Sequence, residues 1–170
     1  MSDSIRVVKD LNEEERQRLF GWGENIFGIE DHKYTWRPKE LHFILDVDGI
    51  PASHVGLIDH FVNVSGQSVR VGGIGGVVTA GEMHGRGHAQ KTLRYAESFM
   101  CEELKVDFGL LFCLDRLMPF YARQRWQLLE DPVEFDQPSG KILSPLHVMV
   151  LPCKGQTWPA GTVDLCSLPW

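Results

Sequence analysis

The chain has 170 residues, 43% of them hydrophobic and 24% charged, the balance of a soluble globular protein with enough length for one domain around its own core. Its net charge of −6 argues against a broad nucleic-acid surface, and no apolar run approaches the roughly 18 residues of a membrane span. The opening residues, Met1 to Ser4, carry neither the basic nor the apolar region of a signal peptide, so a cytoplasmic location is expected.

Ile5 to Val8 reads as a first strand. Asp10 is placed to cap a helix, with Glu13 at capping-box spacing and acids in the first turn. Leu11, Leu19, Trp22 and Ile26 give that helix an apolar side. Residues 27–37 are irregular, rich in acids and aromatics, with Tyr34 and Trp36 as anchors. Leu41 to Val47 is a strand, and Asp48-Gly49 is a strong hairpin signal. The next strand runs from about Ala52 to Val64. A turn at residues 65–68 leads into a third that reaches Thr79, which completes an antiparallel meander. Gly72, Gly73, Gly75 and Gly76 in the third strand predict a bulge or a close approach by another backbone or a ligand.

The stretch from Ile74 to Met100 carries the chemistry. A β-branched strand ends at Thr79, a loop spans Ala80 to Met83, and His84, Gly85, Arg86, Gly87, His88 and Ala89 open directly into a helix. Ala89, Leu93, Ala96 and Met100 share one helix face. Glycines admit a ligand without Cβ obstruction, and the first helix amides point outward as a seat for phosphate oxygens. The alternative is a glycine-rich turn that merely starts a helix. A Walker loop does not fit, because His88 follows Gly87. The dinucleotide fingerprint lacks its third glycine, with Lys91 or Leu93 in that position.

Further on, Val106 to Cys113 is a buried-type strand, Arg116 to Arg125 a short helix and Leu146 to Leu151 another strand. The four cysteines, Cys101, Cys113, Cys153 and Cys166, show no CxxC spacing. Reduced, packed thiols and no metal site are expected.

The loop His84 to Ala89 resembles the acyl-CoA pyrophosphate loop of the GNAT N-acyltransferase superfamily, Gln/Arg-x-x-Gly-x-Gly/Ala, with His84 replacing the usual Gln or Arg. The resemblance implies an α+β fold: a mixed, mostly antiparallel central sheet with helices on both faces. It implies acetyl-CoA as co-substrate, held by Val77, Val78 and Thr79 on the strand and by His84, Gly85, Arg86, Gly87, His88 and Ala89 in the loop. Met118 to Gln127 resembles the second signature of the superfamily, which makes Tyr121 the general acid that protonates the departing thiolate. Arg125-Trp126 stands where the family has Gly-Phe, so the turn there is expected to differ.

The chain is further similar to aminoglycoside 2′-N-acetyltransferases in its acidic segment between Phe27 and Trp36, in Phe120-Tyr121-Ala122-Arg123, in Val148 to Pro152 and in its Trp170 ending. That likeness implies that Glu30, Asp31 and the Trp170 carboxylate face a small cationic amine. Those enzymes carry a glutamate where this chain has Gly75, so the general base stays open among Glu30, Asp31, Asp59, His54 and the terminal carboxylate. Glu82 reads as solvated. Cys113 is disfavoured as a covalent carrier, since apolar surroundings raise its pKa. The implied activity is direct acetyl transfer to a small-molecule amine, with no nucleic-acid or membrane partner and a homodimer left open. The alternatives are a GNAT enzyme acting on a metabolite amine, polyamine, amino acid or peptide N-terminus, or a non-catalytic acyl-CoA-binding module.

Overall fold

Strand β1 (Asp3–Val8) pairs antiparallel with β2 (Leu41–Val47), and β2 turns into the long β3 (Ile50–Val64). Asp48 and Gly49 take φ of 49° and 79°, both in the left-handed region that a two-residue hairpin demands. Ser65 and Gly66, at 48° and 92°, repeat the device between β3 and β4 (Gln67–Thr79). The computed structural model describes residues 2–22, 27 and 33–170.

The chain then crosses over through α2 (His88–Ser98), as a parallel connection requires, and returns as β5 (Phe108–Cys113) beside β4. After α3 (Met118–Arg123), β9 (His147–Pro152) lies antiparallel to β5, with β6 (Gln127–Leu129) on its outer side. At the far end of β3, the short β10 (Val163–Asp164) joins β7 (Val133–Gln137) and β8 (Gly140–Leu143) to the sheet. The pairing is antiparallel except between β4 and β5 and between β7 and β10. The expected mixed, mostly antiparallel α+β sheet is thus present.

Strand period assigns the core to two faces. Leu57, Ile74, Leu111 and Met149 pack on one side with Leu93 and Ala96 of α2 and with Met100 in the π-helical turn Phe99–Glu103 that continues it, on the face predicted from their spacing. Their chain neighbours Ile58, Leu110, Val148 and Val150 point the other way, into a cluster closed by Phe135 and Trp170. Helix α1 (Glu13–Phe20) lies on this second side of β3, where the Phe20 ring meets His54 edge-on at 5.0 Å.

Three expectations are corrected. The capping box uses Asn12 and Glu15, not Asp10 and Glu13: the Glu15 amide donates to Asn12 Oδ1 at 2.8 Å, and the Asn12 amide to Glu15 Oε2 at 2.9 Å. Glu15 also accepts from Arg6, which binds Asp46 as well, so only this register ties the helix to β1 and β2. Residues 127–143 and 163–164, for which no strand was read, supply β6, β7, β8 and β10. Lastly, Cys101 and Cys153 form a disulfide across a sequence separation of 52, so only Cys113 and Cys166 are free thiols. The turn after α2 and the end of β9 bring their Cα atoms to 5.2 Å, a proximity with no sequence spacing to announce it.

Cross-linking a loop of that length restricts the unfolded chain. Replacing both Cys101 and Cys153 by Ser should lower unfolding stability by about 2–4 kcal/mol. Urea unfolding of the variant against the oxidised protein checks this, and unchanged midpoints would show that the bridge adds nothing.

Candidate functional site

β4 and β5 pair only from Val71–Phe108 to Ile74–Leu111, while β4 runs on to Thr79 still paired with β3. Beyond Ile74 the two parallel strands part. The change coincides with a β-bulge opposite His54 to Gly56, where Gly76 takes a φ of +60°. The main-chain groups of residues 75–79 that face away from β3 therefore have no strand beside them. Two cavities open along this gap, one of about 700 Å³ and one of about 550 Å³. They share Phe27, Val77, Leu117 and Tyr121 in their walls, so they meet at that point.

The smaller cavity is lined by Val77, Val78, Thr79, His84, Gly85, Gly87, His88 and Ala89. Gly85 and Gly87 both sit at φ +77°, a conformation that side chains resist, and nothing lies within 4 Å of where their Cβ atoms would stand. Gly87 caps α2 without any side-chain hydrogen bond, which leaves the first helix amides facing the open space. His84 donates from Nε2 to the Thr79 carbonyl at 2.7 Å, and its ring stands edge-on to Trp22 at 5.2 Å. It therefore ties the loop back to the strand. The buried His88 Nε2 has no hydrogen-bond partner among the described residues. Main-chain donors at a helix N-terminus, glycines with free approach and a run of unpaired strand edge suit a pyrophosphate followed by an extended amide chain.

The larger cavity is walled by aromatics, including Phe20, Phe27, Tyr34, Trp36 and Phe112. Its described charged groups are Asp10, Arg16, Lys33 and Lys39. The Lys39 stem fills the slot left by two glycines: a Cβ on Gly56 would come within 2.3 Å of Lys39 Cγ, and one on Gly75 within 2.6 Å of Cε. Burial lowers the Lys39 ammonium to about 8. His54 is buried and spends both ring nitrogens, Nδ1 on the Gly76 carbonyl at 2.6 Å and Nε2 on His42 Nδ1 at 2.8 Å. Burial, outweighing the Gly76 bond, lowers His54 to about 3, so the ring is neutral.

Tyr121 is 5% exposed, packed beside Phe120 and Trp126, at the junction of the two cavities. Burial first, and the Cys113 thiol second, push its phenol well above the usual 10. Burial, with Asp115 adding to it, pushes Cys113 up to about 11, which removes the thiolate that a covalent carrier needs. Among the described residues no group of three or more His, Cys, Asp or Glu could hold a metal ion, and no helix is long and apolar enough to cross a membrane.

The acetyltransferase (GNAT) domain family matches residues 8–129. The chain belongs to the GNAT acetyltransferase family. Solved structures share its fold. A GNAT family acetyltransferase from Brucella melitensis, in complex with acetyl-CoA, is 16% identical, with 94% of each chain covered and a TM-score of 0.57. A GNAT family N-acetyltransferase from Escherichia coli, in complex with CoA, is 15% identical over 96% of this chain and 89% of that one, with a TM-score of 0.58. A conserved protein from Enterococcus faecalis V583 is 20% identical, with a TM-score of 0.51 over 73% of this chain, and this chain spans only 32% of its length. No curated protein matches the sequence.

Within this GNAT chain, the structure gathers the expected cofactor residues around one cavity except Arg86, which is exposed and reaches Met83 Sδ at 3.7 Å. Of the candidate bases, Asp59 is bound by Arg70 at 2.6 and 2.9 Å and lines neither cavity. Glu82 is exposed and paired with Arg18. Glu30 and Asp31 lie outside the described residues. Trp170 lines the larger cavity: its side chain is core, 3% exposed, against Gly73 and donating from Nε1 to the Leu110 carbonyl at 3.1 Å, while its main-chain carbonyl carbon stands beside Gly75, 2.9 Å from where a Cβ would be. Lys39, His42 and Arg16 were missed, because the β2–β3 register brings His42 to the cavity and the long-range packing of α1 and of the segment before β2 brings Arg16 and Lys39.

In the turn after α3, where Arg125-Trp126 stands in place of Gly-Phe, Arg125 adopts φ +74°, the left-handed conformation that a glycine would favour. Burial of Trp126, whose Nε1 donates to Glu97 at 2.8 Å, holds the turn in place. Arg125→Gly should therefore raise stability by up to about 1 kcal/mol, read as a small rise in Tm. A fall in Tm would mean that the arginine side chain makes a larger contribution than the backbone strain.

Proposed function

We propose that the protein transfers an acetyl group from acetyl-CoA directly to the primary amine of a small acceptor. The observation that supports this most is the meeting of the two cavities at Val77, Leu117 and Tyr121. One cavity has the features of a pyrophosphate and pantetheine groove, the other those of an aromatic-walled acceptor chamber. A thioester at their junction would face an amine from the far side. A transfer reaction needs that arrangement, whereas a simple acyl-CoA-binding module does not.

Acetyl-CoA supplies an activated acyl group on a good leaving thiolate. The amides at the start of α2, with Gly85 and Gly87, bind the pyrophosphate, and the edge of β4 from Val77, which has no strand beside it, aligns the arm. Burial raises the Tyr121 phenol and favours its neutral form, so it holds a proton to give, and its hydroxyl protonates the leaving sulfur.

The described charged side chains of the acceptor chamber, Arg16, Lys33 and Lys39 against Asp10, lie among aromatic walls, with the Trp170 carboxylate as a second negative group at Gly75. They favour an amine that carries an aromatic or apolar body and an anionic group such as a carboxylate. A polycationic aminoglycoside would draw on Glu30, Asp31 and the Trp170 carboxylate instead. Thiol release from acetyl-CoA across aromatic amino acids, polyamines and aminoglycosides tests the reading. The expected order puts the carboxylate-bearing amines first. Turnover with aminoglycosides alone would reverse the acceptor assignment, and release with no amine would remove the enzyme reading.

Tyr121→Phe keeps the ring and its packing but loses the proton. It should bind CoA as before and lower kcat by about 10- to 1000-fold. Full activity would return Tyr121 to a packing role.

A further inference from the structure

The geometry points to His42 as the general base for the acceptor amine, held in its reactive tautomer by His54 and the carbonyl of Gly76. This rests on the acetyl-transfer reading above and supplies the proton acceptor that Gly75, which has no side chain, cannot.

A chain of hydrogen bonds fixes where each proton sits. A carbonyl oxygen only accepts, so His54 Nδ1 carries the hydrogen in its 2.6 Å contact with Gly76. Neutral His54 then has a bare lone pair at Nε2. The 2.8 Å contact with His42 Nδ1 therefore requires that His42 carry its hydrogen on Nδ1 and donate it. The only basic atom left is His42 Nε2. It has no hydrogen-bond partner among the described residues and is not among the buried unsatisfied atoms, while the half-buried ring lines the acceptor cavity. The bulge gives the relay its origin, since Gly76 at φ +60° presents its carbonyl to His54 instead of to a neighbouring strand.

The proton traffic balances. A bound ammonium gives one proton to His42 Nε2. The neutral amine then forms the C–N bond as the C–S bond breaks, and Tyr121 protonates the thiolate. The second proton lost by the acylated nitrogen restores Tyr121 through water, and His42 releases its own to solvent. As His42 becomes an imidazolium it keeps donating to the His54 lone pair, so His54 is a positioning residue that orients the base.

The groups around His42 are Asp10 before α1, Glu15 and Arg16 on α1, Lys39 before β2, and His54 on β3. Burial first, then Lys39 and Arg16, lower its pKa below 6.5, and Asp10 and Glu15 only partly offset them. The base is thus free at neutral pH. The plot of kcat against pH should rise through an apparent pKa below 6.5 and then level off.

The test uses His42→Asn, whose amide nitrogen can still donate to His54 but offers no basic atom. With an acceptor that the wild type acetylates, the variant should bind CoA normally, lose the acidic limb and fall in kcat by about 100- to 1000-fold at pH 7.5. Lys39→Met should keep the limb and move it to higher pH, because a neighbouring cation is gone. Nitrogen NMR of the imidazoles in the intact protein should find the hydrogen of His42 on Nδ1. A limb that persists in His42→Asn, a limb that vanishes in Lys39→Met, or a hydrogen on His42 Nε2 would each overturn the proposal. The NMR measurement needs no acceptor, so it separates failure of the dyad from failure of the acetyl-transfer reading.

Discussion

The parting of β4 from β5 after Ile74 and Leu111 is the constraint on which the rest depends. Two parallel strands that stayed paired to their ends would leave no free backbone edge and no gap in the sheet. The glycine bulge on β4 bends one strand away, while β9 holds β5 along its whole length. α2 starts just past the end of β4, so its open N-terminus lies at the mouth of the same gap. Donors for an anion, an extended edge and an aromatic-walled chamber thus follow from one departure from regular pairing.

The same chamber sets the protonation states. Lys39, His42, His54, Cys113 and Tyr121 all line the larger cavity, and burial is the first cause of the shift in each. In every case it favours the neutral form, which lowers the amine and imidazoles and raises the thiol and phenol. A chamber that discourages charge on its own walls would also discourage it on an amine that enters. It therefore favours the unprotonated form that can attack a carbonyl carbon.

Much of the frame was legible because it rests on local rules. Asp48-Gly49 announced a hairpin, Leu93, Ala96 and Met100 announced a helix face, and the glycines at 72–76 announced an irregular strand. The phosphate-loop pattern led to Gly85 and Gly87 and to the helix that follows. What escaped reading is long-range. The Cys101–Cys153 pairing and the His42–His54 contact need the register of strands far apart in sequence. β6 to β8 are short strands broken by Pro132 and Pro138, with too few residues for a period to emerge. The cap of α1 fell two residues from its expected place because a run of acids and amides offers several capping boxes, and only Arg6 selects among them. Arg125 carried no sign of its backbone, since burial of Trp126 imposes a conformation that arginine does not prefer.

Gly56, Gly75 and the stem of Lys39 occupy a single shared volume between β3, β4 and the segment before β2. A side chain introduced at either glycine collides with the lysine, and the main chain of Trp170 closes the other side, 2.9 Å from a Cβ on Gly75. These positions therefore cannot drift independently. Installing a carboxylate at position 75 calls for a shorter residue at 39 in the same step, and each change alone loses either room or filling. Sequence change at this spot of the sheet is a linked exchange, in which acid on the strand and cation on the incoming segment are alternative ways to occupy the same space.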